Sequence, residues 1–278
     1  MVRIENHLAI LEVANLGAEI TSFKSKETGL EYMWQGHAEH WAGRNPILFP
    51  MVSNTYNKIQ NINGKQYHMG NHGIVRGAHF DVESVTDNTI TMVTTSNDET
   101  LKNYPFEFKL RVIYTLCDYK VTIRYQIENH SDITMPFSFG LHPAFNCPID
   151  TNDSFEDYRL EFSNNENLKG IYGPLGLENT KTINCEYKMF DDNPTICFEN
   201  PVSSSVRLTN GTHGVIVDIV GYRWLAFWTK PNAPFMCIEP WHGHGDFTEM
   251  DIPFEKREGT INLAPHHHYE TAYGIEIY

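Results

Sequence analysis

The segment FEFKLRVIYTL, residues 106 to 116, constrains the fold more than any other stretch of this chain. Its apolar residues Phe106, Phe108, Leu110, Val112, Tyr114 and Leu116 occupy every second position, and KVTIRYQI repeats the rhythm with Val121, Ile123, Tyr125 and Ile127. Side chains alternate faces along a strand, so a period of two over this length means one buried and one wetted face. The intervening Cys117-Asp118-Tyr119-Lys120 is short enough for a hairpin, which makes the pair antiparallel. Asn63-Gly64 and Asn210-Gly211 are further hairpin signals, because both residue types tolerate positive φ. Ile90 to Thr95 and Gly274 to Tyr278 also read as strands. Helical periodicity is confined to a short piece, Asp98 to Asn103, which Pro105 stops. Many strands separated by turn signals imply an all-β fold built as a large antiparallel sandwich. With no internal repeat, linker or composition break, residues 1–278 are expected to form one domain.

Composition narrows the functional classes. The chain has 278 residues, 41% apolar and 13% aromatic, which is enough for a sizeable core. Its net charge of −14 comes with no Lys/Arg-rich run, so a nucleic-acid partner is not expected, and an acidic surface suits anionic membranes poorly. The N-terminal MVRIENHLAILEV lacks a signal-peptide pattern, and no stretch approaches the ~18 apolar residues of a membrane span. Cys117, Cys147, Cys185, Cys197 and Cys237 are odd in number and widely spaced, as in a reduced, cytoplasmic protein.

Three polar clusters interrupt the strand pattern: GNHGIVR with His72 and Arg76, FGLHPAFN with His142, and CIEPWHGHGD with Glu239, His242, His244 and Asp246. The last admits two readings. His242-x-His244 followed by Glu249 has the H-x-H-x4-E ligand spacing of a cupin metal site, but Met236 and Lys256 stand where that motif has glycines. Alternatively, Glu239 alone is a proton-transfer base and the histidines are ordinary loop residues. His7, His37, His40, His79, His130 and His213 need no function. The run His266-His267-His268 has the composition of a metal-binding tract, and a loop before the last strand explains it equally well.

Taken in order, LGAEITSFKSKETGLEYMW, NPILFP with INGKQYHMGNHGIVR, YPFEFKLRVIYTL, FSFGLHPAFN and WTKPNAPFMCIEPWHG resemble successive segments of the aldose 1-epimerases, or galactose mutarotases, most closely the branch associated with lactose catabolism. The resemblance implies a β-supersandwich and interconversion of the α and β anomers of a hexose, with no metal, cofactor or covalent intermediate. By position, Glu239 matches the base and His142 the acid, while His72 is a second hydrogen-bonding imidazole near the ring oxygen or a neighbouring hydroxyl. A carboxylate beside an imidazole favours the imidazolium, so the pair is expected to rest as base and charged acid. Where the branch reads F-P-x-V-G-R this chain has FPMVSN, so Asn54 replaces a sugar-binding arginine with a shorter, uncharged amide. That departure bears on substrate identity, and it also admits a sugar-binding protein of the same fold with little turnover. Arg44 and Arg76 are candidate ligands for hydroxyls or for the phosphate of a hexose 6-phosphate. Trp228 and Trp241 offer aromatic faces to a sugar, and Asp246 is expected at the rim.

Overall fold

The computed structural model describes residues 1–173, 175–191 and 194–278. A 15-stranded antiparallel sheet dominates it. At one end lie Ile47–Leu48, Gly140–Leu141, Phe235–Trp241, Trp224–Trp228 and Thr195–Glu199; at the other lie His268–Ile277, Lys120–Asn129, Phe108–Cys117, Thr89–Thr95 and Asp81–Val85. The 14-residue strand Arg159–Tyr172 joins the two halves. Its first residues, Arg159 to Phe162, pair with Ser205–Thr209, whereas Gly170 and Tyr172 near its end pair with Thr195–Glu199. A strand shared between sheets in this way lets the two halves stack face to face. The contacts of Phe162 with Phe227 (6.0 Å) and of Tyr125 with Phe139 (5.0 Å) lie in the core between them.

The alternating segments form strands Phe108–Cys117 and Lys120–Asn129, with the even-numbered residues of the first and the odd-numbered apolar residues of the second buried. They form a hairpin in which Lys120 faces Cys117 and Asp118 takes φ +51°. Asn63 and Gly64, at φ +47° and +75°, close the hairpin between Gln60–Ile62 and Lys65–Tyr67. Asn210 and Gly211 open the connection between the paired strands Ser205–Thr209 and Gly214–Asp218. The helix Asp98–Asn103 is present, and Asn97 caps it by accepting from the Glu99 and Thr100 amides. The last strand begins earlier than its apolar residues indicate, at His268, so the histidine run straddles a turn and a strand start. Among the described residues, no helix is long and apolar enough to cross a membrane.

One strand breaks the half-wet pattern. Phe235–Trp241 is buried along its whole length. Met236 and Ile238 point into the main core, whereas Phe235, Cys237 and Trp241 belong to two smaller clusters on the opposite face. Period-two alternation puts Glu239 on that second face, and the residue directly across from it on the next strand is the small Ala226. A buried carboxyl group is thereby set beside a small neighbour on the second face.

Candidate active site

The chain opposite Glu239 comes from two short strands. Gly140 faces Trp241 and Ala144 faces Cys237, so the register running through both sets His142 opposite Glu239. The Ile238 amide donates to the Pro143 carbonyl (3.2 Å) and holds that alignment. His142 Nε2 lies 3.5 Å from Glu239 Oε2, and the two residues are 6% and 1% exposed. Acid and base candidates nearly a hundred positions apart in sequence are therefore cross-strand neighbours.

His72 arrives on a turn that few residues adopt. Its φ is +65° and that of Gly73 is +75°; a Cβ on Gly73 would lie 2.3 Å from the Phe49 carbonyl oxygen. Ser53 is also left-handed, at φ +55°. The two residues brace each other: the His72 amide donates to the Ser53 carbonyl (2.8 Å), and the Ser53 amide donates to His72 Nδ1 (3.0 Å). Non-glycine residues held at positive φ cost free energy and cluster at functional sites. The second bond also fixes the tautomer. Since Nδ1 accepts, the proton of the neutral ring sits on Nε2, which makes His72 a donor.

These side chains line a cavity of about 320 Å³ together with Trp41, Ser53, Asn71, Arg76, Trp228, Trp241 and Asp246, and with Tyr172 and Phe247, whose rings stack at 5.1 Å. Most of the residues picked out by sequence meet here. Asn54 does not: its side-chain oxygen accepts from the Thr55 amide (2.9 Å) and Gln60 Nε2 (2.9 Å), and it is Ser53 that reaches the wall. Arg44 is tied to the Gln35 carbonyl (2.8 Å) instead of lining the cavity. Asp246 is ion-paired with Arg257 and accepts from the Tyr56 amide (2.8 Å). Arg76, carried on the 3-10 turn Val75–Gly77, makes no ion pair or hydrogen bond with its guanidinium among the described residues.

Electrostatics in the cavity run against the charged pair expected from the sequence. Burial pushes the Glu239 carboxyl well above its ordinary range, opposed by the nearby Trp241 indole. Burial, reinforced by His72 and Arg76, holds the His142 imidazole well below its own. His72 is lowered to about 3, by burial and then by Arg76. Desolvation outweighs the attraction between base and acid, so the environment favours a neutral carboxylic acid and a neutral imidazole. That form carries one proton, the same number as a carboxylate with an imidazolium, and differs only in where the proton sits.

The H-x-H pair does not converge on an ion. His242 Nε2 meets Thr271 Oγ1 (3.1 Å), whereas His244 Nδ1 meets the Gly245 carbonyl (2.6 Å). Among the described residues, a donor set close enough for a metal is formed instead by His142, Cys237 and Glu239, whose ligand atoms lie within 4.8 Å of one another. Imidazole, thiolate and carboxylate are zinc-type ligands. A larger concavity of about 480 Å³ lies against the other half of the sheet, beside His130 and His266 to His268. His130 pairs with Glu128 and His266 with Asp132, and His267 meets the Pro265 carbonyl, so these rings serve surface contacts.

Sequence reasoning did not find Trp41, Asn71, Tyr172, Thr195 or Phe247. Asn71 adjoins His72 and was within reach of it. Trp41 lies in an aperiodic stretch, and Tyr172 and Thr195 become neighbours of the cavity only through strand pairing.

The aldose 1-epimerase family profile matches residues 1–270. Protein LacX of Lactococcus lactis subsp. lactis, in its chromosomal and plasmid forms, is 32% identical over 297 aligned positions, covering 99% of each chain. The crystal structure of a galactose mutarotase related enzyme from Lactobacillus acidophilus superposes with a TM-score of 0.92 at 30% identity, covering 100% of this chain and 97% of the other. A galactose mutarotase-like protein from Lactobacillus casei superposes at 0.91 with 28% identity and complete coverage of both chains.

Proposed function

The chain belongs to the aldose 1-epimerase family, and on that premise we propose that it interconverts the anomers of a hexose by general acid–base catalysis between Glu239 and His142. The observation carrying this reading is the cross-strand pair itself: two proton-transfer groups 3.5 Å apart on the wall of a sugar-sized cavity. One member takes the proton from the anomeric hydroxyl while the other gives one to the ring oxygen. The C1–O5 bond breaks as the C1=O bond forms, the C1–C2 bond rotates, and closure on the other face returns both protons. Because the reaction is symmetrical in protons, a pair holding one proton suffices in either arrangement. Ring opening leaves the proton on the opposite partner, and closure restores it. No step requires a metal, cofactor or covalent bond to the protein.

His72, fixed as an Nε2–H donor, binds a sugar oxygen without titrating near neutrality. Trp228, Trp241 and Ser53 shape the wall, and Asp246, held by Arg257, offers an acceptor edge. A second reading, a hexose 6-phosphate as substrate, is favoured by one feature: the Arg76 guanidinium in the cavity, which makes no ion pair among the described residues. The test is polarimetry of freshly dissolved galactose, glucose and glucose 6-phosphate with wild type, Glu239→Gln and His142→Asn. Acceleration by wild type that both variants lose supports the reading, and the sugar accelerated most names the substrate class. Sugar binding without acceleration makes the protein a binding module. Loss of activity on exhaustive chelation, with stoichiometric metal by elemental analysis, would transfer His142 and Glu239 to a metal site.

A further inference from the structure

A proton-transferring histidine needs its ring held in one orientation, and the usual device is a carboxylate or carbonyl accepting from the second nitrogen. Among the described residues, no other residue accepts from His142 Nδ1, which is buried. Its surroundings are rings. The Trp41 indole stacks on the imidazole with centroids 4.8 Å apart and planes 27° apart. Trp228 meets the imidazole edge-on at 5.4 Å and meets Trp41 edge-on at 5.2 Å, and His72 stands nearly perpendicular at 5.6 Å.

Trp41 is itself fixed. Its carbonyl accepts from Trp34 Nε1 (2.8 Å) and its amide donates to the His37 carbonyl (2.9 Å). Its ring lies so close to Gly43 that a Cβ there would come within 2.5 Å of Cζ2 and 2.8 Å of Cε2. The loop continues to Arg44, whose carbonyl accepts from the Ala144 amide (2.8 Å), two residues past His142. Loop and histidine are thus connected through the backbone as well as through the rings.

We propose that Trp41 is the positioning residue for His142, holding the imidazole by ring packing in place of a hydrogen bond, and that Gly43 sets the height of the indole. The inference rests on His142 serving in proton transfer, and it assigns Trp41 to the protein's own acid–base pair instead of to the sugar. Holding a ring by packing ties neither nitrogen to an acceptor on another strand's backbone, so the proton can move between Glu239 and Nε2 without breaking such a buttressing bond.

The test joins kinetics with NMR of the ligand-free protein. The imidazole protons of His142, assigned by their absence in His142→Asn, should be shifted upfield by the Trp41 ring in wild type. Trp41→Ala and Gly43→Ala should each move them toward ordinary positions, while Trp41→Phe keeps most of the shift. The titratable and charged groups around the ring, Glu239, Cys237, His72 and Arg76, stay the same in all three variants. In turnover, Trp41→Ala and Gly43→Ala should lower kcat on the order of 10–10²-fold with KM nearly held, and Trp41→Phe should restore most of it. Unmoved His142 resonances, or a raised KM with unchanged kcat, would overturn the proposal and make Trp41 a sugar platform. Wild-type inactivity toward every sugar with the NMR pattern intact would remove the mutarotase reading and leave the positioning role standing.

Discussion

Replacing Glu239 with glutamine removes a proton-transfer group while changing almost nothing else. The side chain keeps its length and planarity, sits across from Ala226 and stays buried at 1% exposure, so the fold has no reason to rearrange. What disappears is one half of the pair at 3.5 Å. Positioned proton transfer is worth about 10²–10⁴-fold, or roughly 2.7–5.4 kcal/mol of barrier, so kcat should fall by that factor. The amide can still touch a sugar hydroxyl, so KM should change little. The pH profile carries the sharper test. Activity requires one proton on the pair; it is lost when Glu239 gives up that proton at high pH and when His142 takes a second one at low pH. Burial raises Glu239 well above 4.5 and lowers His142 well below 6.5, so the high-pH limb follows Glu239 upward and the low-pH limb follows His142 downward, and the wild-type profile should be broader than the interval between the two ordinary values. The assay is polarimetry at constant ionic strength, corrected at each pH for the uncatalysed rate. Wild-type kcat retained in Glu239→Gln would refute the part assigned to Glu239 in proton transfer. A narrow maximum confined between the two ordinary values would refute the neutral resting pair.

Three other expectations concern stability. His72 is held at about 3 against 6.5 in the unfolded chain, so the unfolded state binds more protons between those values and stability falls as pH drops through that window; His72→Gln should flatten the decline, read from urea midpoints at pH 4 and 7. Asp246→Asn breaks a buried ion pair with Arg257 and should cost about 3–5 kcal/mol in chemical denaturation at neutral pH. Gly73→Ala meets both a positive φ and the Phe49 carbonyl, and should destabilise by roughly 2–5 kcal/mol while detaching His72 from Ser53, visible as a changed His72 tautomer signal by nitrogen NMR.

The alternation of residues 106 to 127 was legible because those strands keep one face in solvent, so hydropathy records their geometry. Phe235–Trp241 hides the same period: its second face is roofed by Trp41, Trp228 and the loops around them, and both sets of residues are buried. Glu239, His142 and His72 were found through resemblance, but their mutual placement was not, because it depends on a register shared by Gly140 and Ala144. The location of the proton was misjudged for a related reason. Attraction between a carboxylate and an imidazole can be anticipated from residue types, whereas the desolvation that outweighs it depends on how much chain covers them. Ser53 and Asn54 show the limit in miniature. Either could face the cavity, and the left-handed turn at Ser53 sends Asn54 toward Gln60.

The partnership of His142 and Glu239 across one ladder has a consequence for descent. Its geometry is inherited from backbone pairing, which tolerates exchange of nearly any side chain elsewhere. The groups proposed to meet the rest of a sugar, among them Ser53, Arg76 and Asp246, are carried on turns and connections. Such segments accept substitution and changes of length readily. On the proposed function, a lineage built on this plan can exchange one hydroxyl-recognising residue for another without disturbing the spacing on which proton transfer depends. On the proposed function, chemistry and choice of sugar are thus written in separable parts of the chain.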